Sequence, residues 1–241
     1  MSVTDTIAEA KWDVMSANHI LAREGVLAGY GHVSMRHPDN PAHFLLSRSR
    51  SPELVTVEDI MEFTLDGDTV GNDDRPPYLE RFIHGAIYKA RPDVVSVVHS
   101  HQEDVIPYSI SSVALQPVWH QAACIGTHVP VWDIRDKFGD TNMLVTNLAQ
   151  GTDLAAALGR DKVALMRGHG FAVAGNHLQD AVSTAIYLPK NARILTTAKL
   201  LGGSVKIQSP GETEKAGPIY PDTPAFKRGW EYWLTRAGLA R

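Results

Sequence analysis

Strands and helices mix along this chain in a way that predicts an α/β domain layered around a mixed or antiparallel sheet. Three observations carry the expectation. Short apolar and β-branched runs recur between turn residues, as strands do. Longer segments show apolar residues at helical spacing. The two kinds do not follow the even strand–helix–strand rhythm of a doubly wound parallel sheet. No internal repeat or long linker interrupts them, and 241 residues fit one large domain, 1–241, better than two.

Each element has its own signal. Thr4 or Asp5 can cap a first helix running to about Glu24, and Gly25 suits its C-terminal stop. Gly29-Tyr30-Gly31 then forces a turn. Residues 32–36 and 44–46 read as short strands around the loop Asp39-Asn40-Pro41. Thr56-Val57-Glu58-Asp59 reads as a single helical turn with its capping residue. Residues 61–64 and 69–70 flank Asp66-Gly67, a hairpin-turn signal.

After a polar, proline-containing loop at 71–77, residues 79–90 place Phe82, Ile83, Ala86, Ile87 and Ala90 on one helical face. Arg91-Pro92-Asp93 ends that helix. The β-branched run 94–98 suits a buried strand and leads into His99-Ser100-His101. Residues 163–166 and 171–174 are two more apolar strands, joined by Arg167-Gly168-His169-Gly170. A long helix follows at 178–201, with a kink expected at Pro189 and a stop at Gly202-Gly203. The tail from about 205 to 241 carries Trp230, Tyr232 and Trp233 on a last amphipathic helix, expected at a subunit contact.

Composition narrows the function. With 44% apolar and 21% charged residues the chain is ordinary globular material, not a disordered one. A net charge of −4 speaks against a nucleic-acid binder. No apolar run is long enough to span a membrane, and the start of the chain lacks signal-peptide character. Cys124 is the single cysteine, so no intramolecular disulfide can form, and a reducing cytoplasm is the expected compartment. Its setting, Ala122-Ala123-Cys124-Ile125, favours a buried structural thiol over a nucleophile, although His120 and His128 are nearby. His19, His43 and His177 read as surface or packing residues. No Gly-x-Ser-x-Gly elbow, Walker loop or Gly-x-Gly-x-x-Gly fingerprint occurs.

The 11 histidines stand out, because histidine is the side chain most often recruited as a metal ligand. Side chains alternate along a strand, so His99 and His101 share a face if the extended chain continues past Val98. They can then chelate one cation, or they are simply two polar residues after a strand. His169 sits between two glycines at another strand junction, as a third ligand or a turn residue. Three histidines at strand ends match the protein ligands of an open catalytic site. Glu80 heads the helix before the His99 strand. It either profits from the helix dipole or completes a mixed nitrogen and oxygen set suited to Zn, Mn, Fe(II) or Co.

Glu80, His99, His101 and His169 at these spacings, with Leu79-Glu80-Arg81-Phe82-Ile83-His84 and Arg91-Pro92-Asp93-Val94, resemble the class II aldolase/adducin superfamily over about residues 10 to 205. The resemblance implies α/β/α layers around a central, mainly antiparallel sheet. It implies one divalent metal per subunit, manganese first with Zn, Fe(II) or Co as alternatives, held by Glu80, His99, His101 and His169, and no organic cofactor. It also implies a homotetramer or a multiple of one, with active sites between subunits. Adducin-type members lack these ligands, which speaks against a non-enzymatic interaction module here.

Sugar-phosphate aldolases and epimerases of the family cradle phosphate with Gly-Asn-x-Ser and a Thr/Ser-Gly turn. Here the first reads Gly31-His32-Val33-Ser34 and the second Ser47-Arg48-Ser49-Arg50-Ser51-Pro52. A guanidinium fork matches a carboxylate, and the altered loops resemble the decarboxylase branch. That branch implies loss of carbon dioxide from a hydroxylated aromatic or pyridine dicarboxylate: 3-hydroxy-2-methylpyridine-4,5-dicarboxylate first, 3,4-dihydroxyphthalate next. The electrons left on carbon would be taken up as an enolate or phenolate beside the cation. Ser34, Arg48, Ser49 and Arg50 are the expected substrate contacts. Glu80 and His32 are the expected catalytic groups. No nucleic-acid or membrane partner is expected.

Overall fold

The computed structural model describes residues 3–239, with side chains from residue 6. Helix α1 (Val3–Arg23) buries Ala10, Val14, Ala17 and Leu21, one stripe at helical spacing. It begins ahead of Thr4 and Asp5, whose expected capping side chains lie outside the described residues. Strands β1 (His32–Arg36), β2 (His43–Ser47) and β3 (Ile60–Thr64) follow. The Asp66-Gly67 turn closes through Thr64 N–H donating to Asp68 O, but its second arm is one bridge at Thr69 rather than a strand.

Helix α2 (Arg81–Ala90) leads to β4 (Ser96–Ser100) and the short α3 (Ile106–Ser109). The edge strand β5 (Val131–Trp132), α4 (Ile134–Phe138) and α5 (Leu148–Leu158) come next. Strands β6 (Val163–Met166) and β7 (Gly170–Gly175) form a hairpin before α6 (Leu178–Leu200), α7 (Pro210–Ala216) and α8 (Pro224–Arg236). Helix α6 continues through Pro189 without ending.

The seven strands lie in the order β3-β2-β1-β4-β7-β6-β5. Every neighbouring pair is antiparallel except β5 with β6. The sheet is mixed and mainly antiparallel, as expected. Its two faces follow from strand alternation. Val33, Val98, Leu165 and Val173 pack toward α6 and the inner stripe of α1. Val97, Ala164, Ala172 and Ala174 pack with Ile83, Ala86 and Ile87 of α2 and Leu154 and Ala155 of α5. Helices thus cover both faces, which gives the α/β/α layers.

Two of the tail aromatics pack against the core. Trp233 is buried in the core beneath α6, and Trp230 packs against the same cluster, while Tyr232 is exposed. No described helix is long and apolar enough to cross a membrane.

Candidate functional site

The site forms where β4 ends and β1 and β7 begin, against the N-terminus of α2. Strand register does most of the assembly. His32 pairs with His99 across β1 and β4, and Ser100 pairs with Phe171 across β4 and β7. The chain stays extended long enough for His99 and His101 to share a face, with their Nε2 atoms 3.1 Å apart. The β6–β7 turn then swings His169 alongside, its Nε2 2.9 Å from that of His101. Gly170 permits this approach, because a Cβ there would lie 2.0 Å from the Ser100 carbonyl oxygen. Gly31, at φ +89°, does the same for His32, since its Cβ would lie 3.0 Å from the His99 oxygen.

Glu80 completes the cluster. It occupies the N-cap position of α2 but makes no side-chain cap to the helix. Val145 N–H donates to its Oε1 at 2.9 Å. That leaves Oε2 facing the imidazoles, 3.4 Å from His99 Nε2, 3.8 Å from His101 Nε2 and 3.5 Å from His169 Nε2. The four donor atoms all lie within 4.8 Å of one another.

This donor set fits a divalent cation. Ligands about 2.05 Å from a tetrahedral ion lie about 3.3 Å from one another, in the middle of the observed separations. His99 Nδ1 lies 3.0 Å from the Phe171 carbonyl oxygen. A carbonyl can only accept, so the His99 hydrogen is on Nδ1 and the Nε2 lone pair points at the cluster, the state a ligand needs. Burial lowers the His99 pKa to about 4 against the pull of Glu80, keeping the ring neutral. Burial alone would raise the Glu80 carboxyl. The imidazoles packed around it, His99 foremost and then His101 and His169, instead hold it well below the usual carboxylate range. A neutral His99 beside an ionised Glu80 is the pairing of protonation states that metal binding requires. His169 Nδ1 is buried without a hydrogen-bond partner.

Three of the four donors, Glu80, His101 and His169, open on a cavity of about 660 Å³, while His99 lies behind them, fully buried. The wall also includes His32, Ser49, Arg50, Tyr78 and the segment Asn142-Met143-Leu144. Met143 has φ 67°, the one positive value at a non-glycine among the described residues. Such strained backbone tends to occur at functional sites.

The expected substrate contacts divide. Ser49 and Arg50 line the cavity. Arg48 does not; its Nε donates to Asp59 Oδ1 at 2.6 Å, and Arg50 Nη1 donates to Asp59 Oδ2 at 2.7 Å. The two guanidinium groups therefore converge on one buried carboxylate, and only Arg50 of the pair reaches the wall. Ser34 is fully buried and outside the lining. Its Oγ lies 2.6 Å from His84 Nδ1 and 2.7 Å from the Tyr88 hydroxyl. His32 stands in the wall, its Nδ1 2.6 Å from His84 Nε2.

Asp59, Tyr78, His84 and Tyr88 carry no functional role in the sequence reading. For His84 a signal existed: it follows Glu80 by four residues, one helical turn, and so faces the same way. Tyr78 donates its hydroxyl to the Arg50 carbonyl, which ties the arginine loop to the start of α2. Nothing local to Tyr78 or Asp59 announces either contact. Cys124 is buried, and burial pushes its thiol up to about 11, consistent with a structural role.

Comparison with known proteins agrees with this architecture. Residues 13–196 match the family described as Class II Aldolase and Adducin N-terminal domain. Decarboxylase tropJ of Talaromyces stipitatus is 36% identical over 241 residues, covering 91% of each chain. The 3,4-dihydroxyphthalate decarboxylase of a Terrabacter species is 28% identical over 93% of this chain and 95% of that one. Among solved structures, L-fuculose 1-phosphate aldolase from Glaciozyma antarctica superposes with a TM-score of 0.79 at 24% identity, covering 99% of this chain and 92% of that one.

Proposed function

The chain belongs to the class II aldolase and adducin family, and from that premise we propose that it is a metal-dependent decarboxylase of a hydroxylated aromatic dicarboxylate. One observation carries the reading: a complete Glu80-His99-His101-His169 donor set opens on a cavity whose wall presents an arginine. Relatives named as decarboxylases, spanning nearly the whole chain, support it. Of the two rings the sequence raised, 3,4-dihydroxyphthalate gains from the Terrabacter relative. The pyridine dicarboxylate is the second arm of the assay.

A divalent ion held by these four residues would supply Lewis-acid stabilisation of the charge that develops as carbon dioxide leaves. The remaining work falls to the chain's own side chains. Arg50 and Ser49 hold the carboxylate that does not react, through charge-assisted hydrogen bonds. Arg48 and Asp59 hold the Arg50 loop in place. His32 contacts the bound acid through the ring nitrogen that its buried neighbours leave available. In the reaction the ring–carboxyl C–C bond breaks, its electron pair stays with the ring, and one proton is added at that carbon. We assign that proton to His32 or Glu80, the wall imidazole outside the His101 and His169 pair and the wall carboxylate.

We extend the proposal to assembly and setting. Tyr30 and Leu79 line the cavity yet are 79% and 63% exposed, and Ile110 nearby is 62% exposed. A homotetramer with its sites between subunits would cover such residues. A reducing cytoplasm suits the lone buried Cys124. Manganese is the metal to test first, then Zn, Fe(II) and Co.

The deciding assay incubates metal-loaded protein with 3,4-dihydroxyphthalate and with 3-hydroxy-2-methylpyridine-4,5-dicarboxylate and measures released carbon dioxide. Turnover of either supports the reading. No carbon dioxide from either acid, with aldehyde released from a sugar phosphate, would overturn it. Light scattering reads the oligomer in the same preparation.

A further inference from the structure

Four polar side chains form an unbroken hydrogen-bonded line from the interior to the cavity wall. The Tyr88 hydroxyl lies 2.7 Å from Ser34 Oγ, Ser34 Oγ lies 2.6 Å from His84 Nδ1, and His84 Nε2 lies 2.6 Å from His32 Nδ1. All four residues are at most 3% exposed. Polar groups this deep are costly unless every one is partnered. A core could fill the same space with leucine and phenylalanine, so the line does something a packed core would not.

We propose that His84 is a positioning residue that sets the orientation and tautomer of His32, so that His32 presents a hydrogen on Nε2 to the substrate. The proposal rests on the decarboxylase reading for what His32 then does, but the placement itself stands on geometry. The direction of the line follows from its far end. Running from His32 inward, it would leave the Tyr88 hydrogen to the Val95 carbonyl at 3.4 Å, at the limit of hydrogen bonding. Running outward, Tyr88 donates to Ser34 at 2.7 Å, Ser34 donates to His84 Nδ1, and His84 Nε2–H donates to His32 Nδ1. His32 Nδ1 is then an acceptor, and its hydrogen sits on Nε2.

The line orients and does not feed protons. Its inner end is closed, because Tyr88 is 1% exposed and no solvent reaches it. Burial also holds His84 at about 3 and Tyr88 well above its ordinary value, so both stay neutral. His32 also packs against the Tyr78 ring at 4.5 Å and the His99 ring at 5.2 Å between centroids, both tilted by 43° to it. A neutral donor held in one orientation suits an anionic substrate, as preorganised donors do elsewhere.

Two substitutions separate the proposal from a merely structural role. His84→Gln keeps an amide where Nε2 stood and can still donate to His32. His84→Asn reaches only as far as Ser34. The first readout is ¹⁵N–¹H correlation of the histidine rings in zinc-loaded protein, which reports tautomers without any assay. The wild-type and Gln proteins are expected to show His32 with Nδ1 bare and Nε2 protonated, and the Asn protein is expected to lose that single state. The second readout is kinetic. The Asn variant should lose about 100-fold in kcat with little change in KM or bound metal, and the Gln variant should recover most of that loss.

His32 protonated on Nδ1 in the wild type would overturn the proposal even if no variant folds. So would an Asn variant that keeps the wild-type tautomer and kcat. Failure of the wild type to release carbon dioxide would sink the decarboxylase reading alone and leave the tautomer measurement to judge His84.

Discussion

Gly170→Ala tests whether close approach of two strands builds the donor set. The new Cβ would start 2.0 Å from Ser100 O, 2.9 Å from Ser100 C and 3.0 Å from His101 Cα. Real Cβ atoms do not come closer than 3.0 Å to such neighbours, so β7 must move at least 1.0 Å from the end of β4. All three neighbours are backbone, so no side chain can yield instead. His169 lies next to Gly170 and His101 next to Ser100, so the shift falls between two donors now 2.9 Å apart. Ligand distances in a working metal site hold to within about 0.2 Å. A displacement several times larger should weaken metal binding by about 10–100-fold, the range seen when supporting groups are lost. The fold should survive, at a cost of about 1–3 kcal/mol for overpacking. The assay is metal per subunit after dialysis, with circular dichroism for the fold. Gly211→Ala, where nothing lies within 4 Å, serves as the control. Wild-type metal affinity in folded Gly170→Ala would refute the reasoning.

Three further outcomes follow from the site. His99→Ala and His101→Ala should each lose dialysis-stable metal and carbon dioxide release together; retained metal and turnover in both would remove them from the centre. Arg50→Ala should raise KM for a dicarboxylate about 10–100-fold, the worth of a hydrogen bond to a charged group, with metal content unchanged. Arg48→Ala should act more weakly because Arg48 does not line the cavity, and equal effects in substrate titrations would contradict that division. Finally, Asp59 should shape acid stability. Burial would raise its carboxyl, but the Thr56 backbone N–H, Arg48, the Thr56 hydroxyl and Arg50 pull it down to about 2. Its folded value lies below the unfolded one, near 3.8. The unfolded chain therefore binds more protons between those values, and this stabilisation is complete above about pH 4 and fades as pH falls through 2. Denaturation curves of Asp59→Asn should be flatter over that window, and an unchanged acid limb would speak against the Asp59 pairings.

Much of this could be read without coordinates because it is local. The period of two along a strand put His99 and His101 on one face, and the glycines flanking His169 marked a close approach that proves to be against Ser100. The strand at 32–36 and the helix caps at Thr56 and Gly25 followed from turn chemistry. Residues 102–162 were less legible. The two-residue strand β5 is too short for alternation to show, and α5 earns its place by packing on α2. The alternation of Arg48 and Arg50 in the loop predicts a forked grip on substrate. Asp59, eleven and nine residues on, engages both guanidinium groups and leaves only Arg50 on the cavity wall, and a buried acid at that distance is invisible in the loop itself.

The sequence alone determined the kinds of donor, the faces they would occupy and the family they resemble, since each depends on spacing within a few residues. Tertiary structure decided which donors meet. His101 and His169 are neighbours only because β7 inserts beside β4, and His84 reaches His32 only because α2 lies across that face of the sheet. Strand order and helix placement are set by the packing of two whole apolar faces, a sum over many distant contacts that no short stretch of chain contains.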